Sequence, residues 1–466
     1  MRGYPDNGNT TLTPVLPHWE RAAKEESYHM RAVTLGILGL GTVGSGVVKI
    51  LRQNHQILER RVGIPLHIKR IAVRDLKAKR AMEVEAELLT TDPWAVVRDP
   101  EVDLVVELIG GIEPAKNLIL EAAAHGKQVV TANKALLAEA WEEVFTAVTR
   151  AGVDLGFEAS VGGGIPIIRA IREGFVGNRI DSIYGIVNGT SNYILTRMGD
   201  DGEEFRAVLG EAMAEGYAEP DPTLDIEGID AAHKITVLAT LAFGCHVPFP
   251  QVFVEGISGI TPMDISYARE LGYKVKSLAI AKQQDGEVEV RVHPTLIPEG
   301  NLLYGVDGVY NAITVIGDMV GTNTFIGRGA GIGPSGSAVV GDIVEIARNL
   351  VTGGKGRVPP AAYRPGQQVD LRMKAMDEVV SEYYLRFSVL DKPGVLSKIS
   401  GVLGGHNISI ASVIQKGRRV GETVPLVMMT HHACERDMRA ALHEIDHIAA
   451  EVTAKTVLIR VENGAS

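Results

Sequence analysis

The chain has 466 residues, of which 45% are hydrophobic and 22% charged, with a net charge of -10; that length holds two to four domains in the ordinary balance of a soluble globular protein. The acidic excess offers no basic footprint for nucleic acid, and no apolar run reaches the roughly 18 residues of a membrane span. Cys245 and Cys434 are the only cysteines, too few for a disulfide scaffold, so a reducing cytoplasm is the simplest setting.

Residues 1–29 are polar, rich in Pro, Asn and Glu, and lack the apolar core of a signal peptide. They read as a disordered leader, with Met30 as a candidate start. From Arg31 strands and helices alternate. AVTLGIL (32–38) is an apolar strand, GLGTVG (39–44) a glycine turn, and SGVVKILRQN a helix. HIKRIAV (67–73), VDLVVELIG (102–110) and KQVVTAN (127–133) are further strands, with helices expected at 114–125 and from Lys134. This alternation predicts a parallel sheet covered on both faces. Residues 30–160 are therefore expected to form a Rossmann-type domain, completed by about 310–350.

After Gly152 the pattern changes. Residues 153–171 give a strand, a glycine cluster and a helix opened by Pro166. Strands are expected at 180–188, 274–282 and 288–297, and helices at about 201–216 and 230–243. Residues 161–309 thus read as a mixed α/β substrate domain. Residues 351–379 carry the Pro, Gly and basic residues of a linker, and 380–460 read β-α-β-β-α-β.

Gly39, Gly41 and Gly44 fit G-x-G-x-x-G between a first strand and a helix. The first glycine permits the tight turn, the second lets backbone approach a pyrophosphate, and the third lets helix and strand pack closely. With Thr42 and Val43, they offer helix N-terminal N–H groups to the phosphates. Where the second strand ends, an NAD enzyme usually carries an acid for the ribose hydroxyls. Here Arg74 precedes Asp75. Arg74 can ion-pair a 2′-phosphate, which favours NADP, while Asp75 leaves NAD open.

The stretch GYAEPDPTLDIEGIDAAHK (216–234) is dense in carboxylates. Asp230 and Lys234 stand four apart on one helical face, beside an apolar face of Ile235, Leu238, Ala239 and Ala242, and Gly244 suits the helix end. Upstream, Glu219, Asp221, Asp225 and Glu227 fall in a Pro- and Gly-punctuated loop, suited to presenting carboxylates to a cationic amine. A surface ion pair would give the same four-residue spacing.

Together with VVTANKALLA (129–138), EASVGGGIP (158–166), NGTSNYILTRM (188–198) and GIGPSGSAV (331–339), this stretch closely resembles homoserine dehydrogenases, over about residues 31–345. The resemblance implies NAD(P)-dependent interconversion of L-homoserine and L-aspartate 4-semialdehyde in threonine, methionine and isoleucine biosynthesis, by a homodimer or homotetramer that dimerises through the 161–309 domain. It assigns Glu219 and Asp230 to homoserine, with Asn188, Gly189 and Thr190 beside them. Lys234 becomes the proton donor and acceptor, and Lys134 a second active-site lysine next to the cofactor. Gly216 and Gly331 join the cofactor residues. Glu158 with the carbonyls of Val161, Gly163 and Ile165 matches a monovalent cation site, for sodium or potassium; oxygen ligands suit a hard cation, although a glycine turn needed only for packing reads the same.

Residues 383–417 resemble an ACT domain, a ligand-binding module of amino-acid metabolism. Its turn, with Asp391, Gly394, Val395 and Leu396, and its second-strand start, Asn407, are the expected effector residues, with threonine as the natural effector. A unit that only dimerises would share the pattern. Joined by a linker and supplying no catalytic group, this unit is expected to be separable from the rest.

Overall fold

A computed structural model describes residues 32–416, 422–448 and 451–464; the leader and Met30 lie outside the described residues. The N-terminal domain holds six parallel strands: β1 (Val33–Leu38), β2 (Leu66–Ala72), β3 (Leu89–Thr90), β4 (Leu104–Glu107), β5 (Gln128–Thr131) and β6 (Leu155–Gly156). Their order is β3-β2-β1-β4-β5-β6, that of a dinucleotide-binding sheet, which places its ligand crevice beyond the carboxyl ends of the strands where the order reverses. Helix Thr42–Gln53 and the long helix Ile332–Thr352 cover one face through Val47, Val48, Leu51, Val339 and Ile343. The helices Ala115–Ala124, Lys134–Glu139 and Trp141–Ala151 cover the other through Leu118, Leu136, Trp141 and Val144.

The second domain is built on β7 (Ile180–Ile186), β8 (Phe253–Val254), β9 (Tyr273–Gln284), β10 (Glu287–Pro298), β11 (Tyr310–Gly317) and β12 (Gly321–Arg328). Only part of 310–350 returns to the first domain. β11 and β12 form a hairpin in the second sheet, antiparallel from Tyr310↔Arg328 to Gly317↔Gly321, and only the helix Ile332–Thr352 packs on the first domain. The glycines of 317–333 interrupt a period-two pattern that a strand pair satisfies. Helix Ile229–Phe243 lies between helix Lys134–Glu139 and the sheet. It is therefore buried on every side from Asp230 to Phe243 rather than along one apolar stripe.

Beyond β13 (Arg372–Met373), the C-terminal unit is β14 (Val380–Leu390), helix Val395–Gly405, β15 (Ile410–Gln415), β16 (Thr423–Thr430), β17 (Ala433–Cys434), helix Glu435–Asp446 and β18 (Val452–Val461), the expected β-α-β-β-α-β. Its sheet does not stand apart. β18 pairs in parallel with β10 through Thr295↔Arg460 and Leu296↔Val461, so one sheet runs β12-β11-β7-β9-β10-β18-β14-β16-β15. The preceding segment is packed as well: β13 pairs with β10, and the Tyr363 hydroxyl donates to the Ala242 carbonyl at 3.3 Å.

Candidate active site

The dinucleotide turn follows from its glycines. Gly39 takes a left-handed φ of 101°, and a Cβ there would lie 2.6 Å from the Leu108 carbonyl oxygen. A Cβ on Gly44 would lie 2.3 Å from the Gly39 carbonyl oxygen, whereas Gly41 faces open space. Gly41 caps the helix without any side-chain hydrogen bond, so its first N–H groups, at Thr42 and Val43, are left for an anion. A cavity of about 600 Å3 beside them is lined by Gly39, Gly41, Arg74, Asp75, Lys79, Arg80 and Ile109, among others. The Arg80 guanidinium is tied to the Leu76 and Ala78 carbonyls at 3.1 and 3.0 Å. Arg74 and Lys79 line the cavity with no ion pair among the described residues. These residues fit a dinucleotide, and the two uncommitted cations fit an extra phosphate. Gly331, φ 122°, heads helix Ile332–Thr352, packed on the same turn: a Cβ on Gly46 would meet the Ile332 carbonyl oxygen at 2.0 Å. Gly216 lies elsewhere, in the loop that the Thr190 hydroxyl holds by donating to the Tyr217 carbonyl at 2.7 Å.

The second cluster gathers three segments. Lys134 follows Asn133, whose side chain caps the helix by accepting from the Leu136 N–H at 3.1 Å. The Lys134 ammonium sits 2.7 Å from Asp230 Oδ1. The Lys234 ammonium donates to Asp230 Oδ2 at 2.6 Å and to the Val187 carbonyl at 2.6 Å. Asn188 caps helix Gly189–Asp201 through the Ser191 N–H. Its amide nitrogen donates to Asp230 Oδ2 at 2.9 Å and to Asp225 Oδ1 at 2.7 Å. The side chains of Asp230 and Lys234 are 6% and 10% exposed and that of Lys134 is 41% exposed, so the cluster opens on the Lys134 side.

Electrostatics separates the two lysines. Burial pulls the Lys234 ammonium below the usual lysine range; Asp230 opposes this and Lys134 adds to it. At Lys134 burial acts the same way, but the Asp230 carboxylate outweighs it, aided by Asp225 and Glu219, and its pKa rises. Burial alone would raise Asp230, yet the two ammonium groups hold it far below the carboxylate range. Burying ions costs several kcal/mol each, which their attraction often only just repays. The buried Lys234–Asp230 pair, with Lys134 on its open side, is thus a poor stabilising device, and it sets the two lysines apart: burial favours the neutral form of Lys234, while Asp230 favours the charged form of Lys134.

Asp225 and the Val187 carbonyl contact the cluster in ways that sequence reasoning did not place. Asp225 was visible within the carboxylate-rich loop, but nothing in its spacing linked it to Asn188. Glu219 is exposed at the rim. Glu158 accepts the Ile168 and Arg169 N–H groups at 2.8 and 2.9 Å, so its carboxylate serves the following helix. The Ile165 carbonyl accepts the Ile167 N–H at 2.8 Å. Gly163, φ 51°, packs against Gly329, and Val161 is buried. Cys245 is buried, which pushes its thiol up to about 11 and removes it as a nucleophile.

In the C-terminal unit, Asp391, Gly394, Val395 and Leu396 line a cavity of about 340 Å3 with Gln415 and Leu426. Asn407 does not join them. It sits past the far end of helix Val395–Gly405, roughly 16 Å away at 1.5 Å per residue, with a left-handed φ of 58°.

Three family matches tile the chain: homoserine dehydrogenase, NAD binding domain, over residues 39–158; homoserine dehydrogenase over 166–344; and ACT domain over 383–446. The homoserine dehydrogenase of Neisseria gonorrhoeae is 46% identical over 435 residues, 93% of this chain and 99% of that protein. The Bacillus subtilis enzyme is 41% identical over 441 residues, 94% and 100%. Among solved structures, a homoserine dehydrogenase from Thiobacillus denitrificans superposes with a TM-score of 0.88 at 47% identity, covering 93% of this chain and 99% of its own. A hyperthermophilic archaeal homoserine dehydrogenase in complex with NADPH gives 0.59 at 25% identity, covering 68% and 97%.

Proposed function

The chain belongs to the homoserine dehydrogenase family, NAD(P)-dependent oxidoreductases interconverting L-homoserine and L-aspartate 4-semialdehyde, and from that premise we propose how its residues divide the work. Lys234 takes the proton from the substrate hydroxyl in the oxidation direction and returns it in the reduction direction. The burial of its ammonium against Asp230 Oδ2 and the Val187 carbonyl, with Lys134 on the same carboxylate, is the observation that carries this reading, and burial lowers its pKa. Asp230 orients both ammonium groups, and Lys134 stabilises alkoxide character on the substrate oxygen. Asp230 and Asp225 balance the two lysines, leaving Glu219 at the rim as the charge for the substrate ammonium. Gly189 and Thr190, opening a 13-residue helix, suit its carboxylate.

When bound, the nicotinamide cofactor supplies the hydride acceptor or donor. Arg74 and Lys79, uncommitted beside the turn, favour NADP, with NAD the alternative through Asp75. One assay tests the whole reading: absorbance of reduced nicotinamide with L-homoserine, NADP and NAD side by side. NADP-preferring turnover is expected, and Glu219→Gln should chiefly raise KM for homoserine. A variant with unchanged KM and kcat would make Glu219 a bystander.

Three further elements complete the proposal. A sodium or potassium ion, if held by the 158–165 turn, rests on the carbonyls of Val161, Gly163 and Ile165 with Glu158 alongside, and its role is structural; a melting temperature indifferent to either ion would remove it. The reaction belongs to threonine, methionine and isoleucine biosynthesis in the cytoplasm, and no described helix is long and apolar enough to cross a membrane. The enzyme works as a homodimer or homotetramer, supported by exposed apolar Met319, Val176 and Ile326 near the β12 edge. Threonine occupies the cavity at Asp391–Leu396. Asp391→Ala should abolish inhibition by threonine while keeping kcat, and calorimetry without binding to the intact chain would leave the C-terminal unit a purely structural role.

A further inference from the structure

Outside the cluster that handles the substrate, one buried carboxyl group has every oxygen engaged and no place in the chemistry. Glu107, the last residue of β4, is fully buried. Its Oε1 accepts the N–H groups of Ile109 and Gly110 at 2.7 and 3.3 Å, and its Oε2 accepts the Thr131 hydroxyl at 2.6 Å. Thr131 Oγ1 accepts in turn from the Asn133 N–H at 3.0 Å. The Asn133 amide nitrogen closes the circuit on the Gly111 carbonyl at 2.6 Å, while its oxygen caps the helix that begins at Lys134.

The circuit thus joins two pieces of backbone that the reaction must keep in register. One is the loop 108–111, which turns through Gly110 and Gly111 at φ 79° and 73°. Its Leu108 and Ile109 line the dinucleotide cavity, and its Leu108 carbonyl packs on Gly39. The other is the first turn of the Lys134 helix. A lone buried carboxyl costs free energy unless its oxygens find donors; here one oxygen is used on the loop and the other on Thr131, which relays to Asn133.

We propose that Glu107 is a positioning residue, whose carboxyl group, relayed by Thr131 and Asn133, holds the cofactor-side loop and Lys134 in one frame. This rests on the reading of Lys134 as an active-site group. Effective proximity is steep, and a 1 Å misplacement costs about 100-fold in rate, so a fixed frame between the two is worth a buried acid.

Thr131→Val is the decisive variant. It keeps the β-branched shape and cuts only the relay. Hydrogen exchange in the cofactor-free enzyme should stay slow at Ile109 and Gly110 and quicken at residues 133–136. kcat should fall about 10- to 100-fold, with the NADPH dissociation constant, measured by fluorescence titration, unchanged within about twofold. Glu107→Ala should quicken exchange at both segments and weaken NADPH as well, and Glu107→Gln, which keeps the shape and one acceptor, should restore most of both. Wild-type exchange at 133–136 and wild-type kcat in Thr131→Val would overturn the proposal, as would a Glu107→Gln variant no better than Glu107→Ala. Lys134→Ala separates this from the premise. If that variant keeps full turnover, the role of Lys134 fails; if it is inactive while Thr131→Val is normal, only the Glu107 frame fails.

Discussion

Asp230 holds two ammonium groups on one carboxylate, and the asymmetry between them sets the pH behaviour. Burial lowers the Lys234 pKa, so its neutral fraction appears below the ordinary lysine range and grows as pH rises. Oxidation of homoserine needs the neutral amine and should speed up with pH through that pKa; reduction of the semialdehyde needs the ammonium and should slow. Lys134→Ala removes a positive neighbour, so in whatever activity remains the Lys234 step should move to higher pH. An unmoved pH profile would show that the two lysines do not sense each other. Lys234→Ala should lower kcat by orders of magnitude with NADPH binding intact. Arg74→Ala should raise KM for NADP more than for NAD by about 1.5–3 kcal/mol, the range of a charge-assisted hydrogen bond; equal effects would put Arg74 outside the phosphate site. Asp230 and Lys234 were legible because a four-residue spacing is local. The Asn188–Asp225 and Asn188–Asp230 bonds were not: they join residues 37 and 42 apart in the chain, and only the fold decides which polar side chain meets which.

At the scale of elements, the close crossing of helices Thr42–Gln53 and Ile332–Thr352 fixes the cofactor turn from behind. Gly46 meets the Ile332 carbonyl, and a Cβ on Gly336 would fall 2.8 Å from the Gly46 carbonyl carbon. Backbone cannot yield as a flexible side chain can, so Gly46→Ala must part the helices. Overpacking of this kind costs about 1–3 kcal/mol and should appear as a lowered melting temperature together with a raised KM for NADP. A variant with both at wild-type values would mean that the crossing relaxes without disturbing the turn. The glycine motif itself was readable, because its strand-turn-helix context is contiguous. Its partner helix was readable as a helix, but the two strands before it were not, since β11 is a continuous buried run rather than an alternation and β12 is broken by Gly321 and Gly327. Helix Gly189–Asp201 also escaped, because Gly, Thr, Ser and Asn in its first turn read as loop until Asn188 is seen to cap it.

Across the whole molecule, the contacts of the C-terminal unit oppose the separability expected of it. Tyr384, Val427, Met429, Ile459 and Val461 share one core with Ile194, Leu195, Met198, Val275 and Leu296. A composition of Pro and Gly marks where helices and strands stop, but it does not reveal whether the unit beyond docks on a sheet edge, which explains why a linker was read where β13 and Tyr363 are packed. Two ionic joints reinforce the docking. Asp264, fully buried, pairs with Arg386 at 2.5 Å and accepts the Tyr384 hydroxyl at 3.1 Å. Arg460, 3% exposed, bridges Glu255 at 2.8 Å to the buried Glu435. Truncation after about residue 350 would leave Asp264 without Arg386 and Tyr384, β10 without its β18 neighbour, and an apolar face in water. Removing one partner of a buried pair costs about 3–5 kcal/mol, against a total stability of about 5–15 kcal/mol for a typical domain; the lost apolar burial adds to it. The truncated chain should therefore be recovered mainly as aggregate, or melt far below the intact enzyme, rather than persist as an active enzyme freed of control. Soluble yield and thermal melting of the two chains measure this directly. A cooperative melt within a few degrees of the intact enzyme, with undiminished kcat, would mean that the shared core and both ionic joints are dispensable. Regulation, on this structure, is better probed by Asp391→Ala in the full chain than by cutting the unit away, because an effector cavity built on β14 sits on the strand that also carries Arg386 to Asp264.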